Sequence, residues 1–260
     1  MGFISKTAIV SNNAEIGNNV TIRDFAIIED DVIIGNNCTI DYGVLIKSGA
    51  RLANNCTIYK GAVIACDPSD YTYRNEYTLC EIKENTVVKE YATVSKGTRK
   101  AGITKIGSGC YIMAYTHVGH DDIIGNNVTL INCVELAGHV TIEDWVYIST
   151  FVGVHQFVKI GCHSLISYVT KVSQDVPPYI IADGNPLTYR GLNTIGLRRR
   201  GFSNSSINSI KSAYKLIFES KYNISDALKA VKDTLEITEE IKHIINFIET
   251  SERGIVRKRT

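Results

Sequence analysis

Aliphatic residues recur along this chain every six positions. Stepping by six from Ile4 to Val172 visits 29 positions, and 26 of them are Ile, Leu or Val. The three exceptions, Asp70, Glu76 and Lys100, fall inside two polar excursions. A period of six matches neither an α-helix at 3.6 nor a strand alternating at two. Short strands joined by regular turns do match it. Each step carries one large aliphatic with a small residue two positions before it, as in Val20 before Ile22, Ala26 before Ile28 and Val128 before Leu130. Gly, Asn and Asp between the steps supply turns. One step cannot bury its own face, whereas a stack of them forms a continuous core.

The coil is three steps long. Ile-Gly recurs at Ile16, Ile34, Ile106, Ile124 and Ile160, at spacings that are all multiples of 18. Residues 18 apart therefore lie above one another at about 4.8 Å, the spacing of paired strands. The predicted fold class is all-β, a parallel β-helix of hexapeptide repeats over residues 1–190, followed by a small α-helical domain over 191–260. Loops leave the prism at about 65–81 and 95–104, and such insertions often carry binding functions. Pro177-Pro178 ends the regular winding, because proline has no ladder donor. The segment ADGNPLTYRGLN then reads as a linker. Ser203 caps a helix with a stripe of Ile207, Ile210, Tyr214, Ile217 and Phe218; Ser225 caps a second around Leu228 and Val231; Thr238 caps a third around Ile241, Ile244, Ile245 and Ile248. The basic tail RGIVRKRT reads as frayed.

Composition narrows the function classes. With 28 basic and 27 acidic residues in 260 the net charge is +1, so no overall field draws the chain to nucleic acid or anionic lipid. The N-terminal stretch lacks the pattern of a signal peptide, and no run approaches 18 apolar residues, so a cytoplasmic protein without membrane insertion is expected. Seven cysteines, with no CxxC pair, do not suggest a disulfide scaffold. Cys38, Cys56, Cys80 and Cys110 share the phase of the small residues and are expected to pack inward.

Five of the six histidines lie between residues 117 and 163. The 18-residue rule places His120 beneath Gly138, and Gly138 beneath Gln156. It places Asp121 beneath His139, and His139 beneath Phe157. His155 shares this corner, and His117 lies on the approach to it. A neutral imidazole can take a proton from a hydroxyl while a carboxylate fixes the ring. Gly138 can present a backbone N–H to a developing oxyanion. This set suits acyl transfer to a hydroxyl without a covalent intermediate. Three histidines on neighbouring coils also suit Zn²⁺, and a β-helix that binds without turnover is a third reading. His163 and His243 read as surface or packing residues. Arg198, Arg199 and Arg200 suit phosphates or form a solvated charge run.

The strings TKIGSGCYIMAYTHVGHDDIIGNNV, LAGHVTIED, VHQFVKIG, QDVPPYIIADGNP and GLRRRGF resemble the acyl-carrier-protein-dependent UDP-N-acetylglucosamine O-acyltransferases that begin lipid A synthesis. The resemblance spans nearly the whole chain. It implies a left-handed β-helix, a homotrimer with active sites between subunits, no cofactor, and transfer of a (3R)-3-hydroxyacyl chain from acyl carrier protein to the 3-hydroxyl of UDP-N-acetylglucosamine. It further implies His120 as general base, Asp121 as its partner and Gly138 as oxyanion donor. His117, His139, His155 and Gln156 would serve sugar nucleotide or donor, with Asn193, Arg199 and Asp70 near the nucleotide. Lys96, Arg99 and Lys100 would attract the acidic carrier. Thr72 and Ser95 depart from the family pattern, which leaves room for a 3-amino sugar acceptor and an amide product. Tyr168 falls where a small residue can floor the acyl channel, so a short or rerouted acyl chain is expected.

Overall fold

The protein is described from a computed structural model covering residues 2–258. Among these residues, two- to five-residue strands assemble into three sheets of 11, 9 and 8 strands, in which every third strand of the winding is a neighbour. Through the regular winding the pairs are parallel and in register one coil apart, as in Thr21↔Thr39 and Ile123↔Thr141. Where the chain makes its excursions the partners lie further apart in sequence. Thr57 pairs Val87, and Val87 in turn pairs Tyr111. The first loop thus lengthens its coil by two hexapeptide steps and the second by one. Both are whole numbers of steps, which is why the aliphatic phase survives them.

From Ile22 onward the six-step aliphatics are buried, as are Cys38, Cys56, Cys80 and Cys110 in the small-residue phase. Each such aliphatic contributes about 1.5–3 kcal/mol by leaving water. Ile4 at the open first coil remains half exposed, since no coil covers it. The turns carry the chain into the left-handed region, and Asn19, Asn37, Asn55 and Asn127 take those positions with φ between 55° and 61°, a conformation asparagine tolerates. Asparagines also tie coil to coil: Asn18 N–H donates to Asn36 Oδ1 and Asn36 N–H to Asn54 Oδ1, each at 2.7 Å.

The winding extends beyond the two prolines, contrary to expectation. Val176 bridges Ile160, and the strand Ile180–Asp183 still pairs parallel with Leu165–Ile166. The expected linker is a hairpin, with Thr188–Leu192 turning back antiparallel on Ile180–Asp183. Four helices follow: α1 (Thr194–Arg199), α2 (Asn204–Glu219), α3 (Ile224–Thr234) and α4 (Glu239–Glu249). Ser203 and Thr238 cap α2 and α4, whereas α3 is capped by Asn223 and not Ser225; its side chain accepts from Asp226 N–H. α1, not foreseen, is capped by Asn193. The tail is not frayed over its described part. Ile255 and Val256 are buried, and bridges join Ile255 to Asp175 and Arg257 to Thr188. Its last two residues lie outside the described ones.

Candidate active site

His120 and Asp121 occupy one corner of the prism, immediately after the strand His117–Val118. Both side chains are buried, at 4% and 0% exposure. His120 Nδ1 lies 3.0 Å from Asp121 Oδ2. A carboxylate only accepts, so this contact assigns the ring proton to Nδ1 and leaves a lone pair on Nε2. Asp121 is itself held by the second loop. Its Oδ1 accepts from the Thr98 backbone N–H at 2.8 Å and its Oδ2 from the Thr98 hydroxyl at 2.6 Å. Burial pushes the Asp121 carboxyl pKa up, but the bonds from His120 and Thr98 outweigh it and leave the group below the usual carboxylate range. Asp121 has φ +61°, and its own N–H donates to Thr104 Oγ1 at 2.8 Å.

One coil above, the backbone at Gly138 comes against the His120 ring. Its φ is +106°, and a Cβ there would sit 2.9 Å from His120 Nε2. Only glycine fits this approach. The Gly138 N–H has no acceptor among the described residues. Gly119 lies below in equally close contact, where a Cβ would meet the Gly138 nitrogen at 2.6 Å.

His139 packs edge-on to His120 with centroids 5.1 Å apart and stacks flat beneath Phe157 at 4.6 Å. Its Nε2 is 3.5 Å from Asp121 Oδ2, and burial lowers its pKa. Lys100 of the second loop sits 4.4 Å above the Phe157 ring. Gln156 Nε2 donates to the Ala137 carbonyl, and His155 is exposed beside it. His117 is half-buried, with Nδ1 2.7 Å from Thr93 Oγ1, and burial holds its pKa down.

Between the two loops lies a pocket of about 330 Å³ lined by Asp70, Thr72, Glu76, Thr98, Arg99, Lys100 and His139. Glu76 Oε1 accepts from the Arg99 N–H at 3.1 Å and so joins one loop to the other. Asp70 accepts from the N–H and the hydroxyl of Thr72, and those bonds hold its carboxyl below the usual range. Ser95, by contrast, is buried beside Cys66 and does not line this pocket.

Three expected residues lie apart from this corner. Asn193 and the exposed Arg199 bracket α1, and Asn193 Nδ2 donates to the His163 carbonyl on the next corner of the prism. Tyr168 is 69% exposed on the third corner, above Thr150. His163 is a packing residue, stacked between Trp145 and Tyr179. Arg200 lies over Trp145, and Arg198 is exposed. Sequence reasoning missed Thr98, Thr104, Gly119 and Asp122. Thr104 and Asp122 stand in the phase otherwise filled by small inward residues, which is a usable signal. Asp122 is fully buried and accepts from Gly119 N–H and Val140 N–H, each at 2.8 Å, tying the His120 coil to the one above.

Donor atoms of His120, Asp121 and His139 lie within 4.8 Å of one another, and His155 is not among them. The three-histidine arrangement does not form.

A family model described as UDP N-acetylglucosamine O-acyltransferase, domain 2, matches residues 175–256, and the bacterial transferase hexapeptide model matches residues 13–48. The acyl-[acyl-carrier-protein]–UDP-N-acetylglucosamine O-acyltransferase of Herminiimonas arsenicoxydans is 42% identical over 99% of this chain and all of its own length. The chain belongs to the UDP-N-acetylglucosamine O-acyltransferase family. Solved members agree. The Bacteroides fragilis enzyme superposes with a TM-score of 0.96 at 40% identity, covering 98% of this chain and all of the other. The Francisella novicida enzyme also gives 0.96, at 36% identity over 99% and 95%. The fold is thus that of the UDP-N-acetylglucosamine O-acyltransferases, a left-handed parallel β-helix with a small C-terminal helical domain.

Proposed function

We propose that the protein transfers a (3R)-3-hydroxyacyl chain from acyl carrier protein to the 3-hydroxyl of UDP-N-acetylglucosamine, the first step of lipid A biosynthesis. Family membership supports the reaction class. The observation that carries the mechanism is the buried His120–Asp121 pair facing the Gly138 backbone. His120 Nε2 takes the proton of the sugar hydroxyl as its oxygen attacks the thioester carbonyl. Asp121, anchored by Thr98, holds the ring and stabilises the imidazolium. The Gly138 N–H receives the oxyanion. Collapse expels the carrier thiol, which takes its proton back from His120. General-base catalysis of this kind contributes about 10²–10⁴-fold, and an oxyanion donor about 10²–10³-fold.

The pocket between the loops suits the sugar nucleotide, with Asp70 and His139 on its wall, and His117, His155 and Gln156 serve the sugar nucleotide or the donor. Lys96, Arg99 and Lys100 offer positive charge to an acidic carrier protein. Asn193 and Arg199 serve the nucleotide from another corner, and a homotrimer with sites between subunits brings that corner of one chain to the His120 corner of its neighbour. We further assign Tyr168, on the third corner, to the acyl groove. We retain a division near residue 190 between winding and helical domain, and a cytoplasmic location; no described helix is long and apolar enough to cross a membrane.

The test is a product assay with UDP-N-acetylglucosamine, its 3-amino analogue and a panel of 3-hydroxyacyl carrier proteins. The expected product is the 3-O-ester. Amide formation on the 3-amino analogue with no turnover of UDP-N-acetylglucosamine would overturn the reading.

A further inference from the structure

A second cluster of reactive side chains lies outside the acyl-transfer machinery, where the helical domain meets the prism. Glu143 follows the strand Thr141–Ile142, Cys162 follows Lys159–Ile160 one coil above, and His243 projects from the middle of α4. His243 Nε2 lies 2.7 Å from Glu143 Oε2, and the same oxygen accepts the Cys162 backbone N–H at 2.8 Å. The carboxylate oxygen, the imidazole nitrogen and the Cys162 sulfur all lie within 4.8 Å of one another. All three residues are half-buried, which leaves one side open to solvent.

We propose that Glu143, Cys162 and His243 form a binding site for a thiophilic divalent cation, with Zn²⁺ the best fit, that fastens α4 to the β-helix. Thiolate, imidazole and carboxylate are the three donor types that Zn²⁺ accepts, and a half-buried site leaves the fourth tetrahedral position to water. Donor atoms around tetrahedral Zn²⁺ lie about 3.3–3.7 Å apart. The present separations, from 2.7 Å to within 4.8 Å, bracket that range, so side-chain shifts of about an ångström admit the ion. The surroundings orient the donors as metal sites require. The Cys162 N–H fixes one carboxylate oxygen. The Glu143–His243 ion pair accounts for two of the groups; the sulfur facing them is what turns a pair into a donor set. The metal takes thiolate and neutral imidazole in competition with protons, so affinity rises with pH.

The experiment titrates Co²⁺, and then competing Zn²⁺, into the chelator-treated full-length protein. One equivalent of Co²⁺ should produce thiolate-to-cobalt charge-transfer absorption that Zn²⁺ abolishes. Cys162→Ser should remove that absorption, and His243→Gln should weaken binding at least tenfold. Cys66→Ser and Cys133→Ser, at the other half-buried thiols, should leave it intact. His120→Ala should also leave it intact, which separates this site from the His120–Asp121–His139 group. The proposal is overturned if wild type shows no thiolate absorption with Co²⁺, if the band survives Cys162→Ser, or if it disappears only with His120→Ala.

Discussion

The His120 ring lies so close beneath Gly138 that any side chain at 138 would meet Nε2 at 2.9 Å. The proposed general base and oxyanion donor are thereby set by one backbone approach between successive coils. Gly138→Ala must displace the ring or the turn, from a φ of +106° that costs about 1–3 kcal/mol for a non-glycine residue. We expect kcat to fall by about 10²-fold or more. Steady-state kinetics check this; a variant with unchanged kcat would remove Gly138 from the site.

In the proposed mechanism Thr98 acts on His120 through Asp121. Thr98→Val deletes the hydroxyl bond to a buried carboxylate while keeping the backbone N–H bond. A charge-assisted bond of this kind contributes about 1.5–3 kcal/mol. We expect kcat to drop about tenfold or more with KM little changed, and Thr98→Ser to recover most of it. Equal losses in the Val and Ser variants would point to a loop-folding effect instead.

Much of this corner was legible because the 18-residue coil converts sequence spacing into contact. His120 against Gly138, and Asp121, His139 and Phe157 in one file, follow from the period alone. Thr98 did not, because it sits on an excursion, where the period says only that the chain returns in phase and nothing of where it travels between. Nor could the period reveal the three-corner separation as a problem: His120, Asn193 and Tyr168 look like one site by resemblance and stand on three faces of a single chain. At the C-terminus, Asn223 and Ser225 are both competent caps by residue type, and Asn223 takes the position. The tail docks through Ile255 and Arg257 onto Asp175 and Thr188, partners far back in the chain that no local pattern announces.

In the proposed reading Tyr168, exposed on its corner, stands in the acyl groove of the enzyme, where a small residue would leave that groove open. Tyr168→Gly is expected to move the preferred 3-hydroxyacyl chain to a greater length without changing the pH dependence of turnover. Competition among carrier proteins of several acyl lengths measures it. An unchanged optimum would show that the phenol plays no part in length selection.

His243 ties stability to pH. Contacts with the Cys162 thiol and the Glu143 carboxylate push its pKa up to about 10, from about 6.5 in the unfolded chain. A raised histidine pKa stabilises the folded state fully below 6.5, and that contribution is lost as pH rises toward 10. In chelator, wild type should therefore exceed His243→Gln in Tm near pH 6, with the gap closing by pH 10. A gap that is constant or widens with pH would contradict the assigned ion pair.

The most direct measurement is single-turnover acyl transfer to UDP-N-acetylglucosamine by His120→Ala, alongside its thermal melt and its mass by sedimentation. The expected result is a rate lower by about 10²–10⁴-fold with assembly state unchanged and Tm close to that of wild type. Acyl transfer at the wild-type rate by the intact variant would contradict His120 as the base.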